Sequence, residues 1–223
     1  LSFCKEKGIT VFRTIASGGP IFGDTGYIFT FLHLGRDNPK VPLNAEKMFE
    51  KTLIGIASGI SEYFDVECRF RPLNDVELKC DDGIWRKIGP SSCFYEEKAI
   101  QMGSGIQVKQ PDVNLIASAI TPPAQKFTDK QASTIQERIT YLEKLVGRSI
   151  DLKEIKEIYI KQIQKVFDVE LVPGELTEKE RDYYREMEKE YTSEEFFMER
   201  SERRFGKIPS DVVRRMIQFK VPE

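Results

Sequence analysis

The stretch VECRFRPLNDVELKCDDGIWRKI, residues 66–88, decides the fold, because its apolar side chains recur at every second position. A period of two sends alternate side chains to opposite faces of a β-strand. The segment Ile84 to Ile88 returns after the turn Asp81-Asp82-Gly83, which is typical of a hairpin. The alternating positions before that turn are Val66, Cys68 and Phe70, followed by Val76, Leu78 and Cys80.

Helical and extended patterns surround this stretch. On its N-terminal side apolar residues recur every three or four positions, and Asn44 can cap the helix that they predict. Ile9 to Phe12 and Tyr27 to Leu34 predict two earlier strands on either side of a loop of small residues. Ser92 to Tyr95 and Gly105 to Val108 predict later strands, so we expect an α+β fold. The helical stripe consists of Phe49, Leu53, Ile56, Ile60 and Phe64.

The composition becomes charged and helical beyond about Thr128. We therefore expect a main α+β domain over residues 1–127 and a small, mainly helical accessory domain over residues 128–223. Three helix-start signals fall in the second part, each with a capping residue and a Glu or Gln three positions later. They are Ser133-x-x-Gln136, Asp151-x-x-Glu154 and Thr177-x-x-Glu180. The predicted core stripes are Ile135, Ile139, Leu142 and Val146; Ile155, Tyr159, Ile163 and Val166; and Tyr184, Met187 and Tyr191.

The composition argues against several classes of protein. Lys and Arg number 34 and Asp and Glu 36, so the net charge of -2 provides no global field for nucleic acid. The four cysteines lack the spacing of a disulfide framework or a zinc site, which fits a reducing cytoplasm. No apolar run reaches the roughly 18 residues that cross a bilayer. We expect a soluble cytoplasmic protein without a nucleic-acid or membrane partner.

Two segments can carry chemistry. The small residues in FRTIASGGPIFGDTG, residues 12–26, let a ligand approach the backbone, and Arg13 adds a fixed positive charge, although such a loop can also be a plain connector. Asn74 and Asp75 can hold a phosphate-bound magnesium ion, and Lys87 on the returning strand can neutralise charge on a carboxyl-phosphate transition state. By themselves such residues more often have solvated structural roles.

The order and spacing of three blocks resemble the lipoate-protein ligase family. The blocks are Arg13 to Tyr27, Arg71 to Asp75 and Lys87 to Ser92, and the segments from Phe167 to Glu180 and from Tyr191 to Phe196 resemble the end of family members. The resemblance implies a mixed β-sheet flanked by helices, of the biotin/lipoyl ligase type, with a small C-terminal domain. It also implies ATP-dependent activation of a lipoyl-type acid as its adenylate, followed by transfer to a lysine of a carrier protein.

The resemblance also implies which residues form the site. Lys87 matches the catalytic lysine, and Asp75 matches the side of the site that holds Mg²⁺, with ATP as the nucleotide. The implied partner is a lipoyl carrier domain of the glycine-cleavage H protein or 2-oxoacid dehydrogenase E2 type. The implied acyl- and nucleotide-binding residues are Arg13, Ser17, Gly18, Gly19, Phe22, Asp24, Asn74 and Asp75.

Two alternatives stay open. An octanoyltransferase of the same fold uses a cysteine nucleophile, for which Cys68 lies near the matching position, between cations that could lower its pKa. Departures such as Pro20 and Tyr27 within the first block instead favour a non-catalytic or divergent-substrate subunit of a larger complex. Family members carry strands before the Gly-rich loop, so we further expect a second subunit or a second copy to complete the sheet beside Ile9 to Phe12.

Overall fold

A single antiparallel sheet forms the centre of the fold. The computed structural model describes residues 2–11, 21–120 and 135–191 together with Ser193 and Phe196. Five strands, in the order β1-β5-β4-β3-β2, make up the sheet. They are β1 (Tyr27–Gly35), β2 (Cys68–Arg71), β3 (Asp75–Lys79), β4 (Trp85–Tyr95) and β5 (Ala99–Gln107).

The predicted mixed sheet is wrong, because every pair of named strands in the described part of the chain is antiparallel. Strands β2 to β5 follow one another through connections of only a few residues, and such short connections reverse the chain direction. The expected α+β class is confirmed. A single parallel bridge, Lys87 to Ile139, lies outside the named strands.

Seven helices are described in chain order. They are α1 (Ser2–Glu6), α2 (Ala45–Phe64), α3 (Val113–Ala119), α4 (Ile135–Arg138), α5 (Leu142–Val146), α6 (Leu152–Phe167) and α7 (Glu178–Tyr191). Within the described residues, none is long and apolar enough to cross a membrane.

Helices α2 and α6 cover one face of the sheet. Helix α2 connects β1 at one edge to β2 at the other, so it crosses the sheet, and Asn44 caps it as predicted by accepting from the backbone N–H of Lys47 at 3.2 Å. At Gly59 the two helices approach so closely that a Cβ would lie 2.6 Å from Gln162 on α6. The core between these helices and the sheet includes Met48, Leu53, Ile56, Val76, Leu78, Ile100, Met102, Ile155 and Ile163.

Several predicted boundaries change in the structure. The segments Ile84 to Ile88 and Ser92 to Tyr95 belong to one long strand, β4, which pairs with β3 through its first half and with β5 through its second. The strand predicted at Ile9 to Phe12 is wrong for residues 9–11, which have no regular structure, and Phe12 lies outside the described residues. Whether such a short apolar segment forms a strand depends on its contacts with distant parts of the chain, which the local pattern does not contain.

The C-terminal helices are partly as predicted. Asp151 and Glu154 form the expected capping box of α6. The predicted helix from Ile135 to Val146 is interrupted, because Ile139 bridges to the sheet. The predicted core stripe of α7 is wrong, since no described residue of that helix is buried and Tyr184 is 59% exposed.

The chain forms two compact units, one of residues 16–171 and one of residues 1–15 with 172–223. The sheet, α2 and α6 belong to the first unit. The predicted boundary near Thr128 lies outside the described residues, and the division at residues 127 and 128 stays a prediction.

Candidate active site on the open face of the sheet

The sheet face opposite α2 carries Asp75 and Lys87, two of the predicted site residues. Val76 and Leu78 are fully buried on the α2 side, so the alternating residues Asp75 and Glu77 point to the other face. Lys87 lies directly opposite Glu77 in the register, and directly opposed residues share a face. We call the face that bears Asp75, Glu77 and Lys87 the open face.

Lys87 and Asp75 form an ion pair on this face. Lys87 Nζ donates to Asp75 Oδ1 at 2.5 Å, and the side chains are 33% and 21% exposed respectively. The backbone at Lys87 is held from the other side, because the N–H of Thr140 donates to the Lys87 carbonyl at 2.9 Å. The ammonium is therefore fixed in place and remains partly accessible to a ligand.

Asn74 joins the start of β3 to β4. Its Nδ2 donates to the Ser91 carbonyl at 2.5 Å, and the Ser91 N–H donates to the Asn74 carbonyl at 2.9 Å. These two bonds hold Asp75 beside β4, which is why an asparagine precedes it. The Asn74 side-chain amide therefore connects β3 to β4. Its predicted role in binding phosphate stays a prediction.

A buried carboxylate beside this pair holds two arginines, and the sequence pattern alone did not identify it. Glu77 is 2% exposed and accepts from Arg69 Nη2 at 2.8 Å and from Arg71 Nη1 at 2.8 Å. Arg69 also lies over the Trp85 ring, 4.0 Å from its centroid. The signal that could have revealed this group is the register of the β2–β3 hairpin, which sets Arg69 opposite Glu77. The result is a cationic half of the open face, on β2 to β4.

An aromatic half lies beside it on β1 and β5. The Phe29 ring stacks at 6.1 Å from that of Tyr27 and meets Phe31 edge-on at 4.8 Å. Glycines of β5 make room for these rings, and a Cβ on Gly105 would lie 1.8 Å from the Tyr27 hydroxyl oxygen. The two halves together give a surface suited to a molecule with an anionic end and an apolar end.

The remaining predicted site residues lie outside the strands of the sheet or outside the described residues. Asp24 accepts from the Gly26 N–H at 2.8 Å and from Gln107 Nε2 at 3.3 Å, so it shapes the entry to β1. Phe22 is half-buried in a segment without regular structure. Arg13, Ser17, Gly18 and Gly19 lie outside the described residues, and their roles stay predictions.

Cys68 lies on the opposite side of the sheet from Lys87. It pairs with Leu78, whose side chain packs under α2, while its neighbours Arg69 and Arg71 point to the open face. Burial raises the pKa of the Cys68 thiol to about 12. The predicted lowering of that pKa by two cations is therefore wrong, because alternation along β2 separates the thiol from both guanidinium groups.

Asp75 is the carboxylate on the open face that could serve a metal ion. Mg²⁺ commonly binds through one or two carboxylates together with substrate phosphates and water. Glu77 is unsuitable because both of its oxygens accept from arginines. In the described ranges, no group of three or more His, Cys, Asp or Glu side chains could hold a metal ion. The role of Asp75 with a phosphate-bound ion stays a prediction.

The architecture resembles solved ligase structures. A bipartite lipoate protein ligase from Thermoplasma acidophilum superposes with a TM-score of 0.72 at 22% identity, over 87% of this chain and 72% of that chain. A lipoate-protein ligase A bound with ATP gives a TM-score of 0.69 at 19% identity, over 87% of this chain and 74% of that chain. At these identities the likeness shows the fold.

Sequence comparison shows the family. Residues 1–164 match the model of the lipoyl protein ligase A/B catalytic domain, and the chain therefore belongs to that family. The lipoate-protein ligase A subunit 1 of Thermoplasma acidophilum is 23% identical over 204 residues, 89% of this chain and 75% of the relative. The octanoyltransferase LipM of Clostridioides difficile is 24% identical, over 88% of this chain and 76% of the relative.

Proposed function

We propose that the chain uses ATP to activate a medium-chain carboxylic acid of the lipoyl type and transfers the acyl group to a lysine of a carrier domain. The observation that carries the proposal is the Lys87–Asp75 pair, which lies on a face that joins a cationic half to an aromatic half. The anionic reacting groups would meet the cationic half, and the acyl tail would cover the aromatic half.

The chemistry needs no protein nucleophile. In the first step a carboxylate oxygen of the acid attacks the α-phosphorus of ATP, and the bond to pyrophosphate breaks. In the second step the neutral amine of the carrier lysine attacks the acyl carbon, the bond to AMP breaks, and the amine loses a proton to solvent. Two anions meet in the first step, so a fixed cation at that point stabilises the transition state.

Each residue of the open face has a part in this scheme. Lys87 would donate to the acid carboxylate and the α-phosphate, and Asp75 would hold the Lys87 ammonium in position. A Mg²⁺ ion held by Asp75 and the phosphates would neutralise charge on the departing pyrophosphate. Arg71, held by Glu77, adds a further fixed positive charge. Positioning and electrostatics of this kind are sufficient catalytic devices for adenylate formation.

The position of Cys68 supports the ATP-dependent route over the thiol-dependent one. A thiol attacks as its thiolate, and a pKa of about 12 leaves very little thiolate at neutral pH. The thiol also lies on the helix-covered face, away from Lys87. For octanoyl transfer through Cys68, the pKa of the thiol would have to fall by several units and the thiol would have to move to the open face.

Partners follow from the same proposal. The bipartite ligase of Thermoplasma acidophilum belongs to a lipoylation system together with its E2 lipoyl domain, which supports an E2-type lipoyl domain as the acceptor here. The glycine-cleavage H protein is the alternative acceptor. The relative of this chain in Thermoplasma acidophilum is subunit 1 of a lipoate-protein ligase A, and this supports a second polypeptide as a partner of this chain.

The proposal is tested by ATP–pyrophosphate exchange with labelled pyrophosphate and a panel of acids that includes butanoate, octanoate and lipoate. Exchange that depends on a medium-chain acid is the expected result. A folded protein that shows no exchange with any acid, alone or with its partner chain, would reject the ligase and leave the non-catalytic subunit. Acyl transfer from an acyl carrier without ATP would instead support the octanoyltransferase.

A further inference from the structure

The hydroxyl of Tyr27 is buried and has no hydrogen-bond partner among the described residues. A buried hydroxyl without a partner destabilises the folded protein, because its hydrogen bonds to water are lost and not replaced. Phenylalanine would provide the same ring without that cost, as Phe29 does on the same strand. A ligand that offers a hydrogen-bond acceptor would satisfy the hydroxyl.

The register places this hydroxyl in line with the Lys87–Asp75 pair. The Tyr27 ring lies over Gly105, since a Cβ on that glycine would meet the hydroxyl oxygen at 1.8 Å. Ser91 pairs with Ser104, the chain neighbour of Gly105, and Pro90, the chain neighbour of Ser91, pairs with Asp75. Gly105 and Asp75 are therefore two strand spacings apart, which is about 10 Å.

That separation matches the length of a medium-chain acid. Three bonds of an extended chain cover about 3.6 Å, so about eight bonds cover the distance from Asp75 to Gly105. A carboxylate at Lys87 would thus put the far end of an acid of about eight carbons beside the Tyr27 hydroxyl.

Resting on the proposed ligase function, we infer that the Tyr27 hydroxyl donates a hydrogen bond to the tail of the bound acid. Tyr27 is then a specificity-determining residue that selects acids whose tail carries a sulfur or oxygen acceptor over acids with a plain hydrocarbon tail. Rejection by a site that holds an unpaired polar group is an effective form of such selection.

Two further observations support a donor role. Burial raises the pKa of Tyr27 above its ordinary value, so the phenol keeps its proton at any physiological pH. The stacked ring of Phe29 restricts the Tyr27 ring, so the hydroxyl is oriented before the ligand arrives.

The inference is tested with Tyr27→Phe and three acids of similar length: octanoate, lipoate and ω-hydroxyoctanoate. Their dissociation constants are measured by calorimetry on the full chain without ATP. We expect octanoate to bind the variant as well as the wild type, and lipoate and ω-hydroxyoctanoate to bind it roughly three- to tenfold more weakly, as expected for one hydrogen bond. The melting temperature of the variant should be no lower than that of the wild type.

Tyr159→Phe is the matched control. It removes the same atom from a buried tyrosine on the other side of the sheet, where the Tyr159 and Ser104 hydroxyls are 2.8 Å apart and hydrogen-bonded. We expect this control to lower the melting temperature and to leave the ratio of lipoate to octanoate affinity unchanged.

Three results would overturn the inference: equal loss of affinity for all three acids in Tyr27→Phe, no loss for any of them, or binding of none of them by the wild type. A fall in melting temperature equal to that of Tyr159→Phe would also overturn it, because the hydroxyl would then have a structural partner. Binding is measured without ATP, so a wild type that binds acids selectively but shows no pyrophosphate exchange rejects the ligase function and not the role of Tyr27.

Discussion

At the scale of single residues, the open face separates groups that lie close together in sequence. Cys68 and Arg69 are neighbours in the chain, yet one lies under α2 and the other joins the cationic half. Lys87 and Asp75 are twelve positions apart and share an ion pair. Two predictions follow from this separation, one for each face.

Replacing Lys87 should remove adenylate formation and leave the fold intact. We expect Lys87→Ala to lower acid-dependent pyrophosphate exchange by a factor on the order of 100 or more, because a fixed charge at the reacting centre is lost. The partly exposed ion pair contributes about 1 kcal/mol or less to stability, so the melting temperature should change little. Lys79→Ala is the control, since Lys79 pairs with Glu67 at the surface and should keep full exchange. Normal exchange in Lys87→Ala would contradict the assignment.

Replacing Cys68 should have almost no effect on acyl transfer. The thiol lies on the helix-covered face and the proposed chemistry needs no thiolate, so we expect Cys68→Ser to keep ATP-dependent transfer to a carrier lysine within about twofold of the wild type. Transfer is measured by the mass gain of the carrier. Complete loss of transfer in a variant that still melts cooperatively would favour the octanoyltransferase.

At the scale of secondary-structure elements, α6 depends on its first turn. Asp151 and Glu154 form a capping box, and Arg148 donates to both Glu154 oxygens at 3.1 and 2.8 Å. The Arg148 guanidinium holds the pKa of the Glu154 carboxyl at about 2, below its ordinary value of 4.5. Because α6 packs on α2, this local arrangement supports the layer behind the site.

The stability that Glu154 contributes should disappear in acid. A carboxyl with a depressed pKa stabilises the fold above its unfolded pKa and loses that contribution as the pH falls through the folded pKa. Glutamine can keep the bond to the Asp151 N–H, so the variant loses only the charge that pairs with Arg148. We expect Glu154→Gln to lower the free energy of unfolding by about 1 kcal/mol or less at pH 7, and the difference from the wild type to shrink from about pH 4.5 down to about pH 2. Melting temperatures measured across this range check it. Glu157 is exposed on the same helix, and Glu157→Gln is the control for the loss of one negative charge, which should leave the melting temperature at pH 7 nearly unchanged.

At the scale of the whole molecule, β1 is one of the two edge strands of the sheet within the part of the chain that the structure describes. It is nine residues long, and Phe31 on its open face is 55% exposed. A long edge strand with an exposed aromatic side chain favours pairing with another chain. This agrees with the proposal that a second chain or a second copy associates with the protein.

Charging this edge should weaken the association. We expect the wild type to sediment above the mass of one chain, alone or with its partner chain, and Phe31→Lys to shift the distribution towards the single chain. Ile54→Lys places the same charge on an exposed apolar position of α2 and should not shift it. A wild type that sediments as one chain at all concentrations, with or without the partner, would contradict the prediction.

The sequence by itself determined the elements that depend on local patterns. The alternation around Val76, the helix capped by Asn44 and the capping box at Asp151 are all present, because each rests on periodicity or on a hydrogen bond within one turn. The order of motif blocks also identified the family. The pairing of Lys87 with Asp75 was not predicted, although both residues were assigned to the site.

Only the tertiary structure decided which side chains meet. Strand register places Glu77 between two arginines and sends Cys68 to the far face, and a shift of one position would exchange both outcomes. The all-antiparallel order and the break at Ile139 likewise depend on contacts between distant segments. The unpaired hydroxyl of Tyr27 also depends on tertiary structure. Its burial and its lack of a partner result from packing between distant segments, which the local sequence pattern does not contain.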